Sequence, residues 1–501
     1  DAVWYELARI QAMQGNANES IRSIEKAVNI NDQNGFYLEL AAELHRSVEN
    51  VKEALEYYDR IIKLKPQDPG AYLGKAEIYE ELGDIKKTEA LYEKVIELSG
   101  ETLEISYRKI QGFVRANRLD KAIEETSKLI KDYPLVSELK EMQSDFYLMK
   151  SEPEKAISLL EQILETEPQF AKAHLKLAFI FINKGNFSEA IRHAEEAFTK
   201  PDLSIDDKMR LMLVFYESSN LDKTHVPKYL DLAKQMTIAH PGDGKAFAIY
   251  GDILLRENKF EEALNSYRKA VKIAADKKII WERILEIETN LGQLDSLLID
   301  AKQCVKLFPS QPIFYLYLGL AEMQKQNYED AVFSLESGLA LVVNQPALRI
   351  QFLSLLGDAY TAMEKFNKAD KLYEQVLQLD PNNGLVLNNY SYSLAERNTD
   401  LKRAKEMAEK AVQFDGQSSS FLDTYAWILF RMGDYDKARL YIQRAIDAGG
   451  SESGTILEHY GDILFKQGNT EDALEYWKRA AGKEGGSEKL SEKIEKQNWV
   501  D

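Results

Sequence analysis

The feature that most constrains this chain is a small residue that returns at a fixed interval. Ser20, Ala54, Thr88, Ala122, Ala156 and Ala190 follow one another every 34 residues. A constant period of that length marks one supersecondary unit stacked on copies of itself, not one large core. Each period reads alike. An apolar-periodic stretch ends at Gly or Asn, a second stretch follows, and Pro, Gly or Asp breaks the chain before the next. In 69–102, Tyr72, Ala76 and Tyr79 share a helical face, Gly83 and Asp84 turn the chain, and Ala90, Leu91, Val95 and Leu98 line the return. Spacings of three and four put such residues on one side of a helix.

Small residues have a physical use in this pattern. Two antiparallel helices approach closely only where the side chains at their crossing are small. Ala76, Gly251, Gly319, Gly357 and Gly461 take that place on first helices. Ala54, Ala122, Ala263, Ala331, Ala369, Ala404, Ala438 and Ala473 take it on second helices. A glycine inside a helix costs about 1 kcal/mol against alanine, and close packing is what offsets it.

These residues resemble the tetratricopeptide repeat family, with its W-x2-L-G-x2-Y, A-x3-F and P pattern. The matching sets are Trp4, Leu7 and Ala8; Gly251, Leu254, Ala263, Tyr267 and Ala270; Tyr315, Leu318, Gly319 and Ala331; Gly357, Tyr360, Ala369, Tyr373 and Pro381; and Gly461, Leu464, Ala473, Trp477 and Ala480. The resemblance implies an all-α fold, an α-α superhelical solenoid of about 14 helix-turn-helix repeats. An N-terminal array of about six repeats is expected over 1–202 and a C-terminal array of about seven over 246–483. Between them, 203–245 lacks the small pair and is broken by Thr224-His225-Val226-Pro227. That unit reads either as a bend or as simple drift. Residues 484–501 read as a linker and a polar capping helix, which a repeat array needs at its end.

Composition removes several function classes. Eighty-two acidic against 64 basic residues give a net charge of −18, so a basic nucleic-acid footprint is absent and no nucleic-acid partner is expected. The single cysteine, Cys304, excludes an internal disulfide framework, and its small-residue position predicts a buried, inert thiol. No apolar run approaches the length of a transmembrane segment. The sequence begins at Asp1, which fits a processed leader, with any lipid anchor lying upstream. The six histidines form no HExxH motif, and no phosphate-binding loop, GxSxG elbow or calcium loop occurs. No catalytic residue, metal site or cofactor is therefore expected, and the chain reads as a non-enzyme.

By the resemblance, the first helix of each unit lines a concave surface that holds partner proteins. Residues in that register include Glu39, Glu43, Glu77, Glu141, Asp145, Asp252, Glu282, Glu286, Asp358, Asp423, Glu458 and Asp462. The acidic stripe is either an ordinary solvated face or a negative wall that attracts a basic partner segment. Co-chaperone members of the family hold a terminal carboxylate with lysine and asparagine at two inner sites. The corresponding pairs here are Glu39/Glu43, Glu282/Glu286 and Asp423/Trp427, so that clamp is missing.

The last repeats carry the partner-binding candidates. Asn388, Asn389 and Tyr392 are followed by Asp423, Trp427, Phe430 and Arg431, then by His459, Asp462, Phe465 and Lys466. Aromatics mixed with Asn, Asp and Arg resemble a binding hot spot; the competing reading is packing between repeats. The segments 388–396, 422–427 and 458–462 also resemble the C-terminal units of long bacterial envelope proteins of this family. The expected function is a protein–protein interaction scaffold binding one or more proteins, in periplasmic or outer-membrane-associated assembly or secretion. The alternative is a cytoplasmic adaptor or regulatory subunit of an enzyme complex. Oligomeric state is left open.

Overall fold

The computed structural model describes residues 1–218 and 223–500; part of the irregular 203–245 segment, namely 219–222, lies outside them. Among the described residues the regular structure is helical throughout, with 29 α-helices, two short 3-10 turns and no strand. The helices form fourteen antiparallel pairs and one more short helix, Leu490–Lys496. Six pairs run from Ala2–Met13 with Ala17–Ile30 to Ala171–Asn183 with Phe187–Phe198. A seventh joins Ile205–Ser218 to Val226–Ala239. Seven more run from Gly244–Arg256 with Phe260–Ile273 to Gly454–Lys466 with Thr470–Ala480. The chain divides into two compact units, Asp1–Ile253 and Leu254–Asp501.

Small residues close most of the pairs. Ser20, Ala54, Ala122, Ala156 and Ala190 are wholly buried. Ser20 adds a hydrogen bond, its Oγ donating to the Ala8 carbonyl at 2.7 Å. On first helices, glycine is required by space. A Cβ on Gly357 would stand 2.5 Å from the Tyr373 ring, and one on Gly461 2.5 Å from the Trp477 indole. The 69–102 repeat departs from the expected stripe: Thr88, Tyr92 and Val95 are buried, whereas Ala90 is exposed. Tyr92 fills the groove, and the buried stripe shares Val95 with the predicted one but is rotated from it by about a quarter turn. In the seventh pair the large Phe215 and Tyr229 stack at 4.8 Å in place of a small pair. Lys208 is buried there, donating to the carbonyls of Phe198 at 3.1 Å and Lys200 at 2.5 Å, which caps the end of the preceding helix.

The turns inside the first six pairs have their own repeat. Gly15, Glu49, Gly83, Asn117, Ser151 and Gly185 all have positive φ, between 55° and 78°, and recur with the period of the small residues. The next residue donates its N–H to the carbonyl five back, as in Asp84 to Tyr79 at 2.9 Å and Glu152 to Tyr147 at 2.8 Å. This is the Schellman closure, which satisfies otherwise orphaned helix-end carbonyls. The left-handed residue need not be glycine in this array, but a side chain there is strained.

One buried acid stands apart from the ion pairs of the surface. Glu288 is fully buried, paired with Arg268 and adjoining Asp300. Burial, then Asp300, push its carboxyl well above the usual carboxylate range.

Two outcomes are expected. Ser151→Gly should raise stability by roughly 0.5–1 kcal/mol and Gly83→Ala should lower it by about 1 kcal/mol in denaturant unfolding, because both positions are left-handed and exposed. Equal effects of the same sign would contradict strain at the turn. For Glu288, the unfolded carboxyl releases its proton near 4.5 while the folded one holds it to higher pH. Stability is therefore lost as pH rises from about 4.5 toward the folded value. Glu288→Gln should flatten that fall, read as melting temperature at pH 5 against pH 8.

Candidate partner-binding face

Neighbouring first helices touch one another in the second unit, with Gly384–Glu396 against Ser419–Arg431 and that helix against Gly454–Lys466. They make a continuous face, and polar side chains bridge it in a constant register. Asn389 Nδ2 donates to Asp358 Oδ1 at 3.1 Å, and Trp427 Nε1 to Glu396 Oε1 at 2.6 Å. Lys176 bridges Asp145 at 2.6 Å and Glu141 at 2.9 Å in the first unit. There too Arg46 reaches Glu81 at 2.6 Å and shares Glu77 with Arg108. These partners are 31 or 35 residues apart. With a 34-residue period, those offsets fall three before and one after the equivalent residue. They lie one helical turn apart on one side of the next first helix.

This register settles much of the acidic stripe. Glu77, Glu141 and Asp145 are bound by basic residues of adjacent first helices, Glu458 and Asp462 by Lys493 of the short last helix, and Glu282 by Lys278 within its own helix at 3.2 Å. All but Glu282 thereby tie neighbouring helices of the stack together. Glu43 differs: among the described residues no ion pair joins it, and burial and then Glu39 raise its pKa.

The short helix Leu490–Lys496 continues the same register. Lys493, 5% exposed at its side chain, places Nζ 2.8 Å from Glu458 and 2.7 Å from Asp462. Asp462 also accepts from Trp477 Nε1 at 2.8 Å. Ser487 gives both its N–H and its hydroxyl to Glu458. Lys493 offsets the burial that would raise the Glu458 carboxyl and brings it below its ordinary value. Trp499 packs edge-on to Phe430 at 5.9 Å and under Lys466 Nζ at 3.6 Å.

The eleven predicted partner-binding residues therefore divide. Asn388, Asn389, Tyr392 and Asp423 line a cavity of about 620 Å³, together with Asp358, Ser393, Ser419, Ser420, Thr424, Ser453 and Thr455. The other seven pack between repeats, within their own repeat or against the C-terminal segment. Trp427 and Phe430 are 6% and 4% exposed and stack at 4.8 Å. His459 stacks on Trp427 at 4.0 Å and sits 2.8 Å from Asp423. Burial alone would lower the His459 pKa, but Asp423, Asp462 and Glu396 carry it above its ordinary value. Arg431 lies over the Trp427 ring, Phe465 beside Trp477, and Lys466 over Trp499. Asp462 is held by Lys493. Trp427 and His459 thus pack between repeats, Phe430, Asp462 and Lys466 meet the C-terminal segment, and Arg431 and Phe465 pack within their own repeat.

The cavity is polar and acidic. Tyr373 and Asn389 both donate to Asp358 Oδ1, at 2.7 and 3.1 Å, while burial raises the Asp358 carboxyl above its usual range. Burial, Glu396, Asp423 and Glu458 likewise raise the Tyr392 phenol. Asn388 Oδ1 and Ser393 Oγ are buried without a hydrogen-bond partner. Reading from the sequence did not find Asp358 with Ser393 and the serines of 419–453 as one site. They come from four repeats, and only the stacking register joins them. A larger cavity of about 760 Å³ in the first unit is lined by Arg46, Arg108 and Arg115 with Glu77, Glu80 and Glu81. Its charges are spent on one another.

Elsewhere, Cys304 is buried, and burial, Asp300 and Glu288 push its thiol up, which makes it a poor nucleophile. His174 and His193 meet at 2.9 Å inside the first unit, and burial, Arg192 and His174 hold His193 down to about 4. Among the described residues no group of three His, Cys, Asp or Glu is arranged to hold a metal. No helix among them is long and apolar enough to cross a membrane.

Family models described as the tetratricopeptide repeat match residues 2–34, 244–277, 350–383 and 426–488. The ARM repeat of tetratricopeptide repeat protein 21 matches 33–191. Among curated proteins, the chain is 21% identical to the BBSome complex member BBS4 of Bos taurus, over 53% of this chain and 44% of that one. It is 20% identical to DnaJ homolog subfamily C member 3 of Gallus gallus, over 47% and 51%. A peroxisomal targeting signal receptor of Candida albicans is 22% identical over 37% and 32%. The chain thus spans about half or less of the length of these relatives. Among solved structures, Cut9 in the APC/C hetero-tetramer Cut9-Hcn1 aligns over 98% of this chain and 95% of that one, with 11% identity and a TM-score of 0.44.

Lys493→Ala is expected to lower stability by about 3 kcal/mol or more in denaturant unfolding, because it leaves Glu458 and Asp462 buried without their cation. Lys496→Ala, 61% exposed at its side chain, is the control and should change little. Matching losses from both would mean that Lys493 does not anchor the segment.

Proposed function

This chain is a tetratricopeptide-repeat protein, and we propose that it works as a non-enzymatic interaction scaffold or adaptor, binding partner proteins on the face made by its first helices. The observation that carries this reading is the cavity around Asn388, Asn389, Tyr392 and Asp423, open on that face and lined by side chains from four repeats. Rigid helices position its hydrogen-bonding groups, which is what binding an extended segment asks of a surface. Tetratricopeptide-repeat proteins generally mediate such interactions. The names of two relatives, a complex member and an Hsp70-Hsp90 organizing protein of Triticum aestivum, agree with an adaptor role. The relatives named here are eukaryotic, so they favour the adaptor over bacterial envelope assembly.

A photo-crosslinking amino acid at exposed Ser420, on the cavity rim, should form adducts with a partner protein in native cells. The same group at Leu440, exposed on a second helix, should not. Raising salt well above the physiological range should release the partner, since exposed charges are then screened within a few ångströms. Adducts only from Leu440, or none from either, would remove the proposal. Recovery of the Ser420 adduct with membranes would restore the envelope reading, and recovery in a soluble complex the adaptor.

A further inference from the structure

The cavity on the second unit is lined by hydroxyl, amide and carboxylate groups, with no basic side chain among its lining residues. Its lining holds two carboxylates, Asp358 and Asp423, and no lysine or arginine. Each carboxylate uses one oxygen internally: Asp358 Oδ1 takes Tyr373 and Asn389, and Asp423 Oδ1 takes His459. Beside them, Asn388 and Ser393 are 6% and 3% exposed, and Asn388 Oδ1 and Ser393 Oγ have no partner. Buried polar atoms in a folded chain are nearly always satisfied, so two orphans on one cavity wall mark a place where a ligand completes the set. Elsewhere on the first-helix face, equivalent carboxylates are met by a lysine or arginine at the 31 or 35 offset, as Glu141 and Asp145 are by Lys176. Here Asn389 stands at that offset from Asp358. Asp358 thus meets an amide rather than a lysine or arginine at that offset, while Asp423 is paired with the His459 imidazole.

We infer that the cavity takes the lysine or arginine side chain of an extended partner peptide, which supplies in trans the cation that other repeats supply in cis. This rests on the scaffold reading and narrows it to a partner chemistry. An ammonium or guanidinium brings several donors and a positive charge to a wall that holds two carboxylates. The volume, about 620 Å³, accommodates the side chain with its flanking backbone. Serines 419, 420 and 453 at the mouth suit the peptide main chain.

The test selects a phage-displayed random dodecapeptide library on the full chain, then measures the selected peptides by fluorescence anisotropy. Selected peptides should share a Lys or Arg at one position, and replacing it by Ala should weaken binding tenfold or more. Citrulline in place of that Arg keeps the shape without the charge and should weaken binding similarly. On the protein, Ser420→Lys should weaken binding tenfold or more while leaving the melting temperature unchanged, because Ser420 is exposed. Asp423→Asn should weaken the Arg peptide more than the citrulline peptide; where this variant melts early, Ser420→Lys alone decides. Peptides without a shared basic residue, or binding indifferent to Ser420→Lys, would overturn the inference while a partner crosslinked at Ser420 leaves the scaffold reading standing. No selected peptide and no crosslinked partner would overturn both.

Discussion

Everything in this chain depends on how closely the two helices of a pair approach. Gly357 lets Tyr373 lie against its backbone, and Gly461 does the same for Trp477. A methyl group at either crossing would need the ring to move by a distance that a packed interior does not allow. Close approach has a second effect. It brings Trp477 Nε1 to Asp462 and Tyr373 OH to Asp358, so the rings that fill the grooves also orient carboxylates on the first-helix face. Packing and polar chemistry are therefore set by the same residues.

The turn inside each pair makes that approach repeatable. A left-handed residue and a Schellman hydrogen bond end the first helix at the same phase in unit after unit. Glycine occupies the position in some repeats, and Glu49, Asn117 and Ser151 occupy it in others. Tertiary packing of the flanking helices holds these residues in a conformation that their own preferences disfavour.

Charge on the first-helix face follows from the period. Because neighbouring first helices stack in register, a carboxylate meets whatever lies three before or one after its equivalent in the next repeat. Where that residue is Lys176 or Arg108, the charge is spent on cohesion. Lys493 extends the rule past the last full pair, so a helix as short as Leu490–Lys496 is anchored by a buried ion pair. Where the residue is Asn389, a polar cavity remains.

The sequence by itself determined the period, the small residues at the crossings and the all-α repeat architecture, because these follow from local spacing and from which side chains permit close contact. It also placed Asn388, Asn389, Tyr392 and Asp423 on one face. It did not distinguish them from Trp427, Phe430 or His459, since aromatic and polar residues in the same register read alike whether open or covered. Only the tertiary structure decided that. Whether a carboxylate is free depends on a residue about one repeat away, and whether a ring is exposed depends on what folds over it, as Trp499 does over Phe430. Both are contacts between repeats, and a pattern read within one repeat holds no record of them.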